Sequence, residues 1–192
     1  MDIHEIFGAA SVLLQFTCLV PYFIGIFQKR IKPHGFTWML WALLSGITFA
    51  VQLHQHAGAG AWLSAINMTV DACIAILAFR YGTFTIARSD WMVLVLALMA
   101  IPLWLLTANP LWSVLIVCGI NILASWPTFR KSWYRPQDEF TLTFFLGGIA
   151  AFLSIAALHY MAITTWLYPT VIGVSNMALV TLILYRRRMV NN

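Results

Sequence analysis

Five polar side chains interrupt stretches that are otherwise apolar: Gln15, Asn67, Asp71, Asn121 and Asn176. Gln15, Asp71, Asn121 and Asn176 fall near the middle of their stretches. Asn67 precedes Asp71 by four residues, on the same face of any helix that holds both. Such groups are costly in hydrocarbon unless they face one another, water or a solute. Their chemistry is recognition: an amide donates and accepts hydrogen bonds, and a carboxyl accepts them or exchanges a proton. Asp71 is the only acid inside any apolar stretch and has no basic neighbour along the chain. An acid so placed is by default a solute or proton site, the alternative being a protonated or amide-paired structural acid. For the amides the plainer alternative is interhelical hydrogen bonding, worth about 0.6 kcal/mol each on average. No nucleophile stands beside a base, no two carboxylates pair, and no glycine-rich loop could cradle a nucleotide, so neither an enzyme nor a cofactor is expected. His54 and His56 lie close together but lack a third ligand, which leaves no metal site.

The elements that must carry these groups are membrane helices. The chain of 192 residues is 61% hydrophobic and 9% charged, against about 25% charged in soluble domains. Its mean hydropathy is +0.84. Seven apolar segments are expected to be helices, at 6–27, 36–53, 61–80, 91–107, 110–129, 140–160 and 165–185. A bilayer leaves backbone groups unpaired in anything but a helix or a closed barrel, and the alternating pattern of barrel strands is absent. All 11 Lys and Arg residues fall on alternate connections: Lys29, Arg30 and Lys32; Arg80 and Arg88; Arg130, Lys131 and Arg135; and the tail Arg186, Arg187 and Arg188. With an odd number of spans, that places the N-terminus outside and the C-terminus in the cytoplasm of a multi-pass inner-membrane protein. The net charge of +5 is spread over those connections and forms no nucleic-acid face. Cys18, Cys73 and Cys118 lie in apolar runs and read as small hydrophobes. The acidic start MDIHEIFGAA runs into a full-length span, which argues against a cleaved signal peptide.

The segments repeat. Gln15 is followed six residues later by Pro21, then by the cluster Lys29–Lys32, the turn Pro33-His34-Gly35 and re-entry at Phe36-Thr37. Asn121 is followed six residues later by Pro127, then by Arg130, Lys131 and Arg135, the turn Pro136-Gln137-Asp138 and re-entry at Phe140-Thr141. Trp62-Leu63 matches Trp166-Leu167, and Leu44-Ser45-Gly46-Ile47 matches Leu146-Gly147-Gly148-Ile149, where small residues permit close helix approach. The expected organisation is a first three-helix unit at 1–88, a linker helix at 89–108 and a second three-helix unit with a basic tail at 109–192. The linker keeps the two units parallel rather than inverted. Pro21 and Pro127 each remove a backbone hydrogen bond and form a symmetric pair of candidate hinges.

Val20-Pro21-Tyr22 with Lys29-Arg30 and Gly35-Phe36, the matching Trp126-Pro127-Thr128 with Arg130-Lys131, and Ser175-Asn176-Met177 ahead of Leu184-Tyr185-Arg186 together resemble the PQ-loop superfamily, which includes the SWEET sugar transporters. The resemblance covers nearly the whole chain as a 3+1+3 helix plan. It departs at Tyr22 and Thr128, where the family carries glutamine, and at Trp41 and Phe145, near the places of prolines. It implies a seven-helix carrier that moves a small polar solute by alternating access. Asn176 would be a solute-contacting asparagine, and Asn67 or Asp71 would hold the matching place on the third helix. Within transport, a proton-coupled or vitamin-precursor carrier stays open. So do a receptor that binds without transporting and a scaffold whose polar groups only lock helices. The partners expected are a small-molecule solute, protons and the lipid bilayer, and a homo-oligomer is compatible with the sequence.

Overall fold

Asp2 starts the first helix. Its side chain accepts a hydrogen bond from the Glu5 amide at 2.8 Å while the Glu5 carboxylate accepts one from the Asp2 amide at 3.1 Å. This capping box satisfies two of the otherwise unpaired donors of the first turn. Helix α1 accordingly spans Ile3–Phe27, beginning ahead of the apolar run. The computed structural model describes residues 2–29, 33, 35–82, 88–134, 136–138 and 141–191. Helix α2 is Gly35–His54, a 3-10 turn covers Gly58–Ala61, and α3 is Trp62–Tyr81. Then follow α4 (Arg88–Thr107), α5 (Leu111–Tyr134), a second 3-10 turn (Pro136–Asp138), α6 (Thr141–Ala156) and α7 (Ile163–Asn191). Among the described residues there is no strand. Arg30, Lys32, His34, Arg135 and Phe140 lie outside the described residues, as do the side chains of Pro127, Arg130 and Lys131.

Each expected apolar segment is helical, with informative differences at the ends. Helix α6 stops at Ala156 rather than running on to residue 160. Beyond the stop, the His159 amide donates to the carbonyl of Ala57 at 3.0 Å, a partner outside the helix. Helices α5 and α7 run past their apolar cores because their ends are tied together. Arg186 Nε donates to the Trp133 carbonyl at 2.9 Å, with its guanidinium 4.6 Å from the Trp133 ring centre, and Arg187 Nε donates to the Pro136 carbonyl at 3.0 Å.

Among the described residues, four helical stretches are long and apolar enough to cross a membrane: Ile3–Phe27, Gly35–His54, Gly58–Tyr81 and Ile163–Met189. Helices α4, α5 and α6 carry shorter apolar stretches, Leu94–Thr107, Leu111–Ser125 and Thr141–Ala156. The outer surface is apolar to a degree that suits lipid, with Phe79, Leu105 and Leu106 each at least three-quarters exposed (78%, 75% and 85%).

Helix α3 packs against both α1 and α2, and α7 packs in the same way against both α5 and α6. Across the molecule α1 meets α6 and α2 meets α5, while α4 lies against α5 and α2. The α2–α4–α5 contact is a core of Leu40, Leu44, Val51, Ala97, Val114 and Val117, with Ser113 Oγ donating to the Ala100 carbonyl at 2.6 Å. Gly148 lets α6 approach α7: a Cβ there would meet the Met177 methyl and lie 3.5 Å from the Gly173 carbonyl.

At the end of the bundle holding the N-terminus, Ala57, Ala61 and Leu158 form a sealed cluster flanked by Phe49, Ile155 and Trp166. Gln52, fully buried, donates from Nε2 to the Thr165 carbonyl at 3.0 Å. On the rim, His159 Nε2 lies 3.1 Å from the Asp2 carboxylate and its ring stacks on His4 with centres 4.5 Å apart. The Glu5 amide, and then His159, hold the Asp2 carboxyl below its usual value. A depressed carboxyl pKa stabilises the folded state above the unfolded value, and that contribution is lost as pH falls through the folded one.

Candidate functional site

A cavity of about 210 Å³ lies between the helices, and all five expected polar residues line it. Gln15 comes from α1, Asn67 and Asp71 from α3, Asn121 from α5 and Asn176 from α7. They meet because α3 and α7 each occupy the middle of a three-helix packing and so both face inward. The volume bounds the ligand. An apolar cavity of about 150 Å³ holds a benzene, and drug-sized pockets run from roughly 300 to 1,000 Å³. A molecule of about one ring, or a short chain, fits.

On α3, Asp71 is 8% exposed, and among the described residues no group donates a hydrogen bond to its carboxyl. Asn67, one turn away, has its amide oxygen buried without a partner. The site therefore offers two acceptors in search of donors. Two tryptophans share the lining. Trp38 and Trp41 are perpendicular (85°) with ring centres 5.1 Å apart, and Trp38 is fixed by donating from Nε1 to the Tyr22 hydroxyl at 3.2 Å. Gly147 leaves room for Asn176, since a Cβ there would come within 3.2 Å of its amide nitrogen.

Sequence reasoning missed Ser45 and Tyr168. Ser45 reads from sequence as a small residue for helix approach; it is 3% exposed and lines the cavity. Tyr168 is 4% exposed and lies within electrostatic reach of Asp71. A phenol ahead of Pro169 inside an apolar helix is the signal that could have found it. Of the candidate hinges, Pro21 sits within α1 on its exposed side, outside the cavity lining, and α5 runs through Pro127 as helix. His54 packs edge-on against Trp104 with ring centres 5.5 Å apart, and among the described residues no group of three His, Cys, Asp or Glu could hold a metal. No family model, curated protein or solved structure matches the chain.

Proposed function

We propose that the protein is a seven-span carrier of the PQ-loop type, two parallel three-helix units joined by α4, that moves a small polar solute through the central cavity by alternating access. The observation that carries this reading is the convergence of Gln15, Asn67, Asp71, Asn121 and Asn176, drawn from four helices, on one cavity. Residues serving only as helix glue would pair locally, yet Asp71 and Asn67 both line the cavity, and among the described residues neither the Asp71 carboxyl nor the buried Asn67 amide oxygen accepts a hydrogen bond. The packing supports the repeat, because exchanging α1, α2 and α3 for α5, α6 and α7 preserves the order of neighbours and turns the α1–α6 contact into α5–α2. We take the buried cluster of Ala57, Ala61 and Leu158, just ahead of the lining residue Leu63, as the seal at one end of the cavity. Toward the other end, where the basic connections lie, its lining extends to Trp38, Thr128 and Thr143. This arrangement supports reading the carrier as inward-facing, with Pro21 and Pro127 as the proposed points about which each unit bends. Asp71, lacking a partner, also makes a proton-coupled version of the same carrier attractive.

Uptake into proteoliposomes, screened over small metabolites, tests the function, and saturable flux of at least one of them is the expected result. Binding without flux would make the protein a receptor. The orientation is tested by thiol labelling in intact cells with an impermeant reagent. Met161→Cys, on the α6–α7 connection and 63% exposed, should label from outside, while Tyr134→Cys, at the end of α5 and 72% exposed, should label only after permeabilisation. The opposite pattern would invert the topology, and equal labelling would end the seven-span reading. Gly58 is unsuited as a reporter, because its φ of +63° and the adjacent His159 ring leave no place for a Cβ.

A further inference from the structure

The cavity is chemically one-sided. Among its described lining residues Asp71 is the single carboxylate, and there is no Lys, Arg or His. Helices α1, α2 and α7 turn Gln15, Cys18, Trp41, Ser45, Tyr168 and Asn176 toward the same space, and α5 and α6 add Asn121, Ser125 and Thr143, so no described facing residue neutralises the acid. A buried carboxylate without a partner is strongly unfavourable and is relieved either by a proton or by an occupant that brings a positive charge of its own. The Asn67 amide oxygen adds a second empty acceptor on the same face of α3. The remaining walls suit a cation too. Two tryptophan rings at right angles, with Phe144 nearby, present faces whose quadrupole attracts an ammonium. Among the described lining residues an anion would find no positive partner, and a neutral polyol would bring no charge to match the carboxylate.

We propose that the solute is a small cationic amine, its ammonium held by Asp71 and Asn67 and its hydrocarbon lying against Trp38 and Trp41. The proposal deepens the transport reading, relying on it only in calling the ligand a solute. The ammonium donates N–H bonds to both open acceptors, and Asn176 and Asn121 remain for a polar group at the far end of the molecule. About 210 Å³ restricts that molecule to a few carbons or one ring.

The test compares aminobutanol with butanediol, which differ only in an ammonium against a hydroxyl. Each is titrated into the purified full-length protein at neutral pH and matched ionic strength, and affinity is read from heat of binding and from melting-temperature shifts. Aminobutanol should bind at least about tenfold more tightly, the scale of one charge-assisted contact. In Asp71→Asn that preference should fall to near one, whereas Asp71→Glu should retain part of it. Equal affinity for the two probes in the wild type would overturn the proposal, as would a preference that survives Asp71→Asn. The wild-type comparison decides even if a variant fails to fold. The two readings also fail separately. Equal affinities that are both lost in Asn176→Ala would leave a solute site without charge selectivity. Selective amine binding with no flux of any solute would leave the amine site and remove the carrier.

Discussion

Asn176→Ala is expected to cut solute flux by about tenfold to a hundredfold while leaving the melting temperature within a degree or two of wild type. Removing one partner of a buried hydrogen bond costs roughly 1–3 kcal/mol, and each 1.4 kcal/mol is about tenfold in an equilibrium. The loss falls on binding because Asn176 lines the cavity and is only partly buried, and among the described residues its side chain makes no hydrogen bond to a neighbouring helix. Gly147→Ala supplies a graded control. Its new methyl would sit 3.2 Å from the Asn176 amide nitrogen, displacing the amide by tenths of an ångström without deleting it, so flux should fall by a smaller factor. Flux is measured in proteoliposomes and melting in the same detergent preparation. A large drop in melting temperature with unchanged flux would return Asn176 to the role of helix glue.

The same residue shows what a sequence can reveal. An amide or acid in mid-span is conspicuous because hydrocarbon penalises it, so Gln15, Asn67, Asp71, Asn121 and Asn176 stand out before any coordinates exist. The helices are legible for a related reason, as apolar length has few uses outside a bilayer. Ser45 and Tyr168 are less visible. A serine can satisfy itself on its own helix and a tyrosine is largely apolar, so neither is costly enough to draw attention. The early end of α6 was hidden as well. Ala157 and Leu158 are as apolar as the helix before them, and the exit is marked by a hydrogen bond to Ala57, about a hundred residues away in sequence. The right-angled setting of Trp38 against Trp41 is equally tertiary, since Tyr22 from another helix anchors one of the rings. Residue type marks which groups are expensive, and packing decides which of them meet.

Gly60→Val is expected to open the end of the cavity that the Ala57, Ala61 and Leu158 cluster closes. A Cβ at Gly60 would lie 2.8 Å from Leu158 Cγ and 2.9 Å from Leu158 Cα. The leucine tip can swing aside, but its Cα belongs to the backbone of the α6–α7 connection, which is fastened to Ala57 through the His159 amide. The 3-10 turn Gly58–Ala61 and that connection must therefore separate. Overpacking of this kind costs roughly 1–3 kcal/mol. If the bundle has a second, outward-open arrangement, the cost falls on the closed one alone, and the balance shifts toward the open one by about tenfold to a hundredfold. Leu63 reports the change, being 4% exposed just inside the seal and part of the cavity lining. With an impermeant thiol reagent applied outside intact cells, Leu63→Cys should resist labelling in the otherwise wild-type protein and react at least about tenfold faster when combined with Gly60→Val, in line with that shift. Gly60→Ala, which brings the same Cβ without the branch, should lie between them. A cysteine that stays protected in the valine variant while the melting temperature falls would mean that the seal is a fixed part of the bundle, and that access to the cavity from the N-terminal end lies elsewhere.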